Sequence, residues 1–319
     1  MSRTTKSPLT LARLALAAGQ RALPAYSHRY SPRKFTQAQL FALLALKQFF
    51  KLDYRGLVTW VGEWAELRQA LGLNSVLHYS TLCYAEQRLL KKSPDVDRLF
   101  QATPAWARQQ GRLGPRSELA AIDGTGLESR HVSHYDSRRC RRRQRRFPKV
   151  QTVIDVRSHL CLAAVVERGP KPDDLAFRRL AAQAHRRQPY RAWLGDAGYD
   201  GEEHHRFLDR RLHVLGIIPP RRGRRGRQPP ATLYRGLWAE LWPRLTHLYH
   251  QRWQIESHFS QHKRLLGSAL RAHRSPAQTR EIFLRLLTLN LMILLWPWWL
   301  FNRAVPPVFR VAKPGGTWR

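Results

Sequence analysis

Leu119-Ala-Ala-Ile122-Asp123-Gly124-Thr125-Gly126 is a short apolar run that ends in a carboxylate and two glycines. Such a run reads as a buried strand, and the glycines let a ligand approach the backbone where the strand delivers Asp123. The pattern recurs at Arg191-Ala-Trp-Leu-Gly195-Asp196-Ala-Gly-Tyr199, a second strand closed by a carboxylate and a glycine. Between the two, residues 150–156 and 160–167 read as a hairpin turning at 157–159, and residues 173–186 read as a helix. A helix over 202–211, a strand over 214–218 and a final helix complete the series.

The order of strand, hairpin strands, helix, strand, helix, strand and helix matches a ribonuclease-H-like α/β domain. In that fold a mixed sheet is flanked by helices, and the first and fourth strands are parallel neighbours at its centre. Asp123 and Asp196 are then expected side by side at the carboxyl edge of the sheet, where ligands of α/β proteins gather.

The last helix holds Tyr249-His-Gln-Arg252-Trp-Gln-Ile-Glu256-Ser-His-Phe-Ser-Gln-His-Lys263. At about 100° per residue, Tyr249, Arg252, Glu256 and Lys263 share an arc roughly 60° wide. Leu248, Ile255, Phe259 and Leu266 lie beside that arc and are expected to pack it against the sheet. Taken alone, the helix reads equally as a solvated face with an Arg252–Glu256 pair. The two strand-end aspartates favour a site in which Glu256 is the third acid.

Three carboxylates without an obligate His or Cys describe a hard-cation site, hence two Mg2+ ions, with Mn2+ able to substitute. Asp123 is expected to bridge both ions, with Asp196 completing one shell and Glu256 the other. Arg252 and Lys263 are expected to hold DNA backbone phosphates, and Tyr249 to donate to a phosphate or stack on a displaced base. His258 and His262 have a metal-like spacing, but His258 lies about 160° round the helix from Glu256, and the stretch lacks the Glu of a zinc-protease motif. Asp155, Asp173, Asp174, Asp200, Glu202 and Glu203 read as turn or cap residues.

The formal net charge is +34, from 56 Lys and Arg against 22 Asp and Glu, which points to a polyanionic partner. Seven arginines within residues 138–146 and five within 221–227 are too dense to bury and read as DNA-clamping loops. Three cysteines with no CxxC pair indicate neither a zinc ribbon nor a disulfide framework, and fit a reducing cytoplasm. Residues 9–18 are interrupted by Arg13 and too short for a secretory signal. Residues 282–301 are long enough to span a bilayer, but Arg285 and Asn290 favour a buried core helix.

Ahead of the sheet, Thr36 caps a helix over 38–50, a second helix covers 54–71 and stops at Gly72, and a third runs from about 80 to 92. On the third, Ser80, Thr81, Tyr84, Arg88 and Lys91 face away from Leu82, Ala85 and Leu89, which suits a recognition helix in a major groove.

Tyr249-x2-Arg252-x3-Glu256-x6-Lys263 matches the YREK signature of DDE transposases from bacterial insertion sequences at every position. Asp123 in Ile-Asp-Gly-Thr resembles the first acidic motif of that family, and Asp196 in Gly-Asp-Ala-Gly-Tyr-Asp the second. Residues 35–40 and 78–82 are also similar to these enzymes, so the likeness covers about residues 30 to 300. The resemblance implies binding to terminal inverted repeats, hydrolytic nicking at the element's ends and strand transfer into target DNA, with helices before the core binding the ends. It also implies double-stranded DNA as partner, assembly as a homodimer on DNA, and a cytoplasmic, nucleoid-associated protein without a membrane association. Some relatives carry a large β insertion between the second Asp and the Glu; here any insertion is small and centred on the Arg221 run.

The organisation expected is a flexible basic arm over 1–30, a helical DNA-binding module over 31–112, the catalytic domain over 113–302 and a basic tail over 303–319. Two rivals share these features: a nuclease of the same fold that cuts without joining, and a non-catalytic DNA-binding protein derived from a transposase.

Overall fold

In the computed structural model, which describes residues 4–91, 94–129, 147–169, 174–221 and 232–295, the first helix is α1 (Pro8–Ala22). Ser7 caps it by accepting from the Thr10 N–H at 3.3 Å, and Pro8 occupies the first turn. A flexible arm was the expectation for 1–30; across 8–22 the structure replaces it with this helix. Leu11, Ala12 and Ala15 are fully buried against α2 (Gln37–Phe49). The helices meet so closely that a Cβ on Gly19 would lie 2.8 Å from the Ala38 Cα. Alanines that make this approach possible also dilute the hydropathic period, which is why the helix is hard to see in the sequence.

Thr36 caps α2 as the sequence suggests, and the structure adds a reciprocal bond, from the Thr36 N–H to the Gln39 side chain, that makes it a capping box. The helix expected over 54–71 is two, α3 (Tyr54–Glu63) and α4 (Ala65–Leu71), broken where Trp64 leaves helical geometry. Arg68 donates to the freed carbonyls of Val61 and Gly62, which makes the break tolerable. Gly72, at φ 62°, supplies the left-handed cap. Next come α5 (Tyr79–Leu89) and α6 (Pro94–Gln109). Lys47 of α2 pairs with Glu86 of α5 at 2.5 Å, and the Tyr54 hydroxyl donates to the same carboxylate at 2.9 Å, so one buried ionic knot ties three helices together. Burial and the Glu86 charge push the Tyr54 phenol upward, keeping it a donor.

The sheet is built from β1 (Ser117–Gly126), β3 (Pro148–Asp155), β4 (Cys161–Arg168), β5 (Tyr190–Leu194) and β6 (Leu215–Ile217), in the order β4-β3-β1-β5-β6. β1 runs parallel to β5, with Ala121 beside Leu194, and antiparallel to β3. The expected parallel pair therefore lies at the centre. Two-residue strands β2 (Glu128–Ser129) and β7 (Ala269–Leu270) form a separate parallel pair.

Alternation along the strands gives the sheet two apolar faces. Ile122, Val153 and Trp193 pack with Phe177 and Leu180 of α7 (Phe177–Arg187). After β5 come α8 (Glu202–Phe207), a wider turn over Leu208–Leu212, and β6. The opposite face carries Ala121, Ile154 and Leu194 against α9 (Leu233–Tyr249) and α10 (Trp253–Leu266). Leu248, Ile255, Phe259 and Leu266 are all buried, as their positions beside the polar arc suggested. α9 was not anticipated, because Pro243 interrupts its pattern.

The last described helix, α11 (Ser275–Leu294), is buried on nearly every side. It shares one continuous core with α1–α6 and the Cys161 end of β4. Asn290 accepts from the Cys161 N–H at 2.8 Å and donates to the Cys161 carbonyl at 2.9 Å, completing the backbone pairing at the start of an edge strand. Among the described residues no helix is long and apolar enough to cross a membrane. The basic runs at 138–146 and 222–227, Asp173 and the tail lie outside the described residues.

Candidate active site

Asp123 stands near the carboxyl end of β1, and Asp196 follows the neighbouring β5 directly. Each carboxylate is oriented by a backbone amide of the glycine turn it opens. Asp123 Oδ1 accepts from the Gly124 N–H at 2.8 Å, and Asp196 Oδ1 from the Gly198 N–H at 2.9 Å. A Cβ on Gly198 would lie 2.8 Å from Asp196 Oδ1, so any side chain there would push the carboxylate out of this seat. Asp196 Oδ2 accepts no hydrogen bond among the described residues.

Burial holds the Asp123 carboxyl above its ordinary range, opposed by the Gly124 amide and Arg252, while the Asp196 charge adds to the rise. The two aspartates thus feel one another across the central strand pair.

Opposite them, α9 ends at Tyr249 and a single tight turn, His250–Arg252, leads into α10. The expected single helix is therefore two, joined by a 3-10 turn through which Tyr249, Arg252 and Trp253 keep right-handed helical geometry. Arg252 donates to Asp123 Oδ2 at 3.1 Å and to Glu256 Oε1 at 2.5 Å. Lys263, about two turns beyond Glu256, donates to Thr125 Oγ1 at 2.8 Å. Half-buried, with its ring edge-on to Trp242 at 5.0 Å, Tyr249 has its phenol raised, chiefly by burial, and stays protonated.

The structure brings Asp123, Asp196, Tyr249, Arg252 and Lys263 to the carboxyl edge of the sheet. Glu256 reaches the group through Arg252, its side chain 58% exposed. Among the described residues, no three His, Cys, Asp or Glu side chains stand close enough together to hold a metal ion. A guanidinium that pairs with two carboxylates also relieves the repulsion that gathering the acids without a cation would bring.

The donors nevertheless fit a hard divalent cation in kind. They are carboxylate oxygens at the ends of adjacent parallel strands, one oxygen of each aspartate fixed by an amide and the Asp196 partner oxygen left open.

His258 and His262 are fully buried, away from the acids. His258 Nδ1 donates to the His159 carbonyl at 3.0 Å, and burial lowers its pKa to about 3, so it is neutral. On α5, Tyr84 and Arg88 are exposed while Leu82, Ala85 and Leu89 are buried. Thr81 is partly exposed, and the Ser80 hydroxyl is engaged with His78 Nδ1 at 2.8 Å.

The surroundings of Asp196 leave little trace in the local sequence. Asp200, read there as a turn residue, is buried and accepts from the Arg221 amide at 2.8 Å and from Arg235 Nε at 2.9 Å. A second carboxylate four residues after the first was the available signal.

A mixed five-stranded sheet flanked by helices, with its first and fourth strands as the central parallel pair, is the arrangement of a ribonuclease-H-like α/β domain. The family model described as the transposase DDE domain matches residues 114–291, more than half of the 319-residue chain, and the protein belongs to that family. It is accordingly a transposase-type enzyme whose substrate is DNA. A comparison with curated proteins returned no match.

Proposed function

We propose that the protein is a YREK-type transposase of a bacterial insertion sequence, which nicks the terminal inverted repeats of its element and joins the freed ends to target DNA. The observation that carries this reading is Arg252, which links Asp123 at the end of β1 to Glu256 on α10 while Asp196 stands beside Asp123. Asp123, Asp196 and Glu256 are the residues that would hold Mg2+ or Mn2+. Such ions, when bound, activate an attacking oxygen and stabilise the leaving oxygen of a phosphodiester.

The chain's own residues prepare that chemistry. A backbone phosphate entering the site competes for the planar fork of Arg252, and its capture there releases Glu256 to turn towards the aspartates. Lys263 offers a second cation to the same strand, and the protonated Tyr249 offers a donor. The exposed face of α5, with Thr81, Tyr84 and Arg88, is assigned to the transposon end, and the net charge of +34 supports non-specific attraction to the duplex. Two copies assembled on paired ends complete the proposed complex.

The test uses purified full-length protein, Mg2+ and linear DNA carrying the inverted repeats that bracket its gene. Nicking at the repeat ends followed by joining to a second plasmid supports the proposal. Cleavage with no joined product favours a nuclease of the same fold, and site-specific binding with no cleavage favours a non-catalytic derivative.

A further inference from the structure

Arg221 is the first arginine of the second basic run, yet its side chain turns back onto the protein. Nε donates to the Ala197 carbonyl at 2.6 Å and Nη2 to the Gly198 carbonyl at 2.7 Å. These carbonyls belong to the one-turn 3-10 helix Ala197–Tyr199 that Asp196 caps, and Gly198 also supplies the amide that orients the Asp196 carboxylate. A single guanidinium therefore grips the peptide units on which Asp196 is seated.

Arg221 is itself fixed from two sides. Its amide donates to Asp200 Oδ2 at 2.8 Å, and its carbonyl accepts from Arg235 Nη2 at 3.4 Å. Arg235 Nε reaches the same Asp200 oxygen at 2.9 Å, and the fully buried His205 holds the other oxygen through Nε2 at 3.1 Å. Burial alone would raise the Asp200 carboxyl, but His205, Arg235 and the Arg221 amide hold it below its usual range. Asp200 thus has both oxygens engaged, one by His205 and the other by Arg235 and the Arg221 amide, and is a structural hub. Glu202 extends the hub by accepting from the Tyr234 and Arg235 amides at 3.1 Å, which caps α9 in place of Thr232. That helix leads directly to Tyr249 and Arg252.

We infer that Arg221, held by Asp200 and Arg235, is a positioning residue that sets the Asp196 carboxylate for divalent-ion binding and couples its turn to the helix leading to Arg252. This rests on the metal reading proposed above. A guanidinium suits the task because two donors in one plane meet two successive carbonyls; a lysine ammonium on a flexible stem does not fix both directions. Groups that orient a ligating side chain typically change metal affinity by about 10–100-fold when removed.

The experiment is Mn2+ binding to full-length wild-type, Asp196→Asn, Arg221→Ala, Arg221→Lys and Asp200→Asn proteins, followed by loss of the free-ion electron paramagnetic resonance signal. Thermal unfolding without metal is measured on the same preparations. Asp196→Asn is expected to abolish the tighter binding phase. Arg221→Ala is expected to weaken it by about tenfold, with a metal-free Tm close to that of wild type because the arginine lies at the surface, and Arg221→Lys to restore only part of the loss. Asp200→Asn is expected to weaken binding and to lower Tm as well, since it opens a buried hub.

Wild-type affinity in Arg221→Ala, alongside the Asp196→Asn loss, overturns the inference and leaves the proposed function standing. Full restoration by lysine also overturns it, because charge alone would then suffice. Wild-type binding that is insensitive to Asp196→Asn removes the metal reading and this inference together.

Discussion

Arg252 Nη1 donates to Asp123 Oδ2 at 3.1 Å, so the carboxylate near the end of the central strand is charge-paired by the helix lying across the sheet. Burial still outweighs that pairing and holds the Asp123 carboxyl above its ordinary value. A carboxyl raised on folding binds more protons in the folded than in the unfolded state. Its stabilising contribution is therefore present below the ordinary aspartate range and lost as pH rises through the raised folded value. Asp123→Asn is expected to raise the metal-free Tm at pH 7, with the gain shrinking as pH falls through the aspartate range. A lower Tm for the variant at pH 7 would contradict this balance.

His258 gives the opposite slope. Its pKa is lowered from 6.5 to about 3 by burial, so the unfolded chain takes up a proton that the folded protein refuses. Stability from this residue is full above pH 6.5 and declines towards pH 3, at about 1.4 kcal/mol per pH unit. Proton NMR is expected to show the His258 ring neutral throughout pH 5–8, and a ring titrating near 6.5 would refute its burial.

Asn290 makes three hydrogen bonds from inside α11, two to Cys161 and one to Thr103 at 3.1 Å. Asn290→Ala leaves the buried Cys161 backbone without its side-chain partner and is expected to cost about 2–3 kcal/mol in urea unfolding. A loss below about 0.5 kcal/mol would show that the edge of β4 finds another partner.

Much of the site could be read in the sequence because its signals are local. An apolar run ending in Asp-Gly places Asp123, a similar run places Asp196, and the spacing of Tyr249, Arg252, Glu256 and Lys263 puts them along one side of a near-continuous helical segment. The central parallel pair follows from element order alone. What stayed hidden depends on partners far away in the chain. The amphipathic period of α1 is made largely of alanine and becomes visible only against Ala38, and α9 runs through Pro243 with Glu202 as its cap. Asp200 looks like any turn aspartate until Arg221, His205 and Arg235 close around it. The Arg252 bridge was foreseen only in its Glu256 half, since an i, i+4 pair is local and the bond to Asp123 spans two distant segments.

If Arg252 and Lys263 exchange their protein partners for DNA phosphates, each releases about one counterion on binding. Arg252→Ala and Lys263→Ala are each expected to reduce the slope of log Kd against log salt by about one unit and to weaken end cleavage. Slopes equal to that of wild type in filter-binding titrations would place both side chains outside the DNA contact.

Glu256→Gln tests the catalytic proposal most directly, because the substitution keeps the shape of the side chain and an oxygen for Arg252 while removing the charge. Cleavage of end-bearing DNA in Mg2+ and affinity for the same DNA are measured on one preparation. The expected result is no cleavage above the protein-free control with affinity unchanged; cleavage at the wild-type rate would remove Glu256 from the reaction and with it the three-acid site.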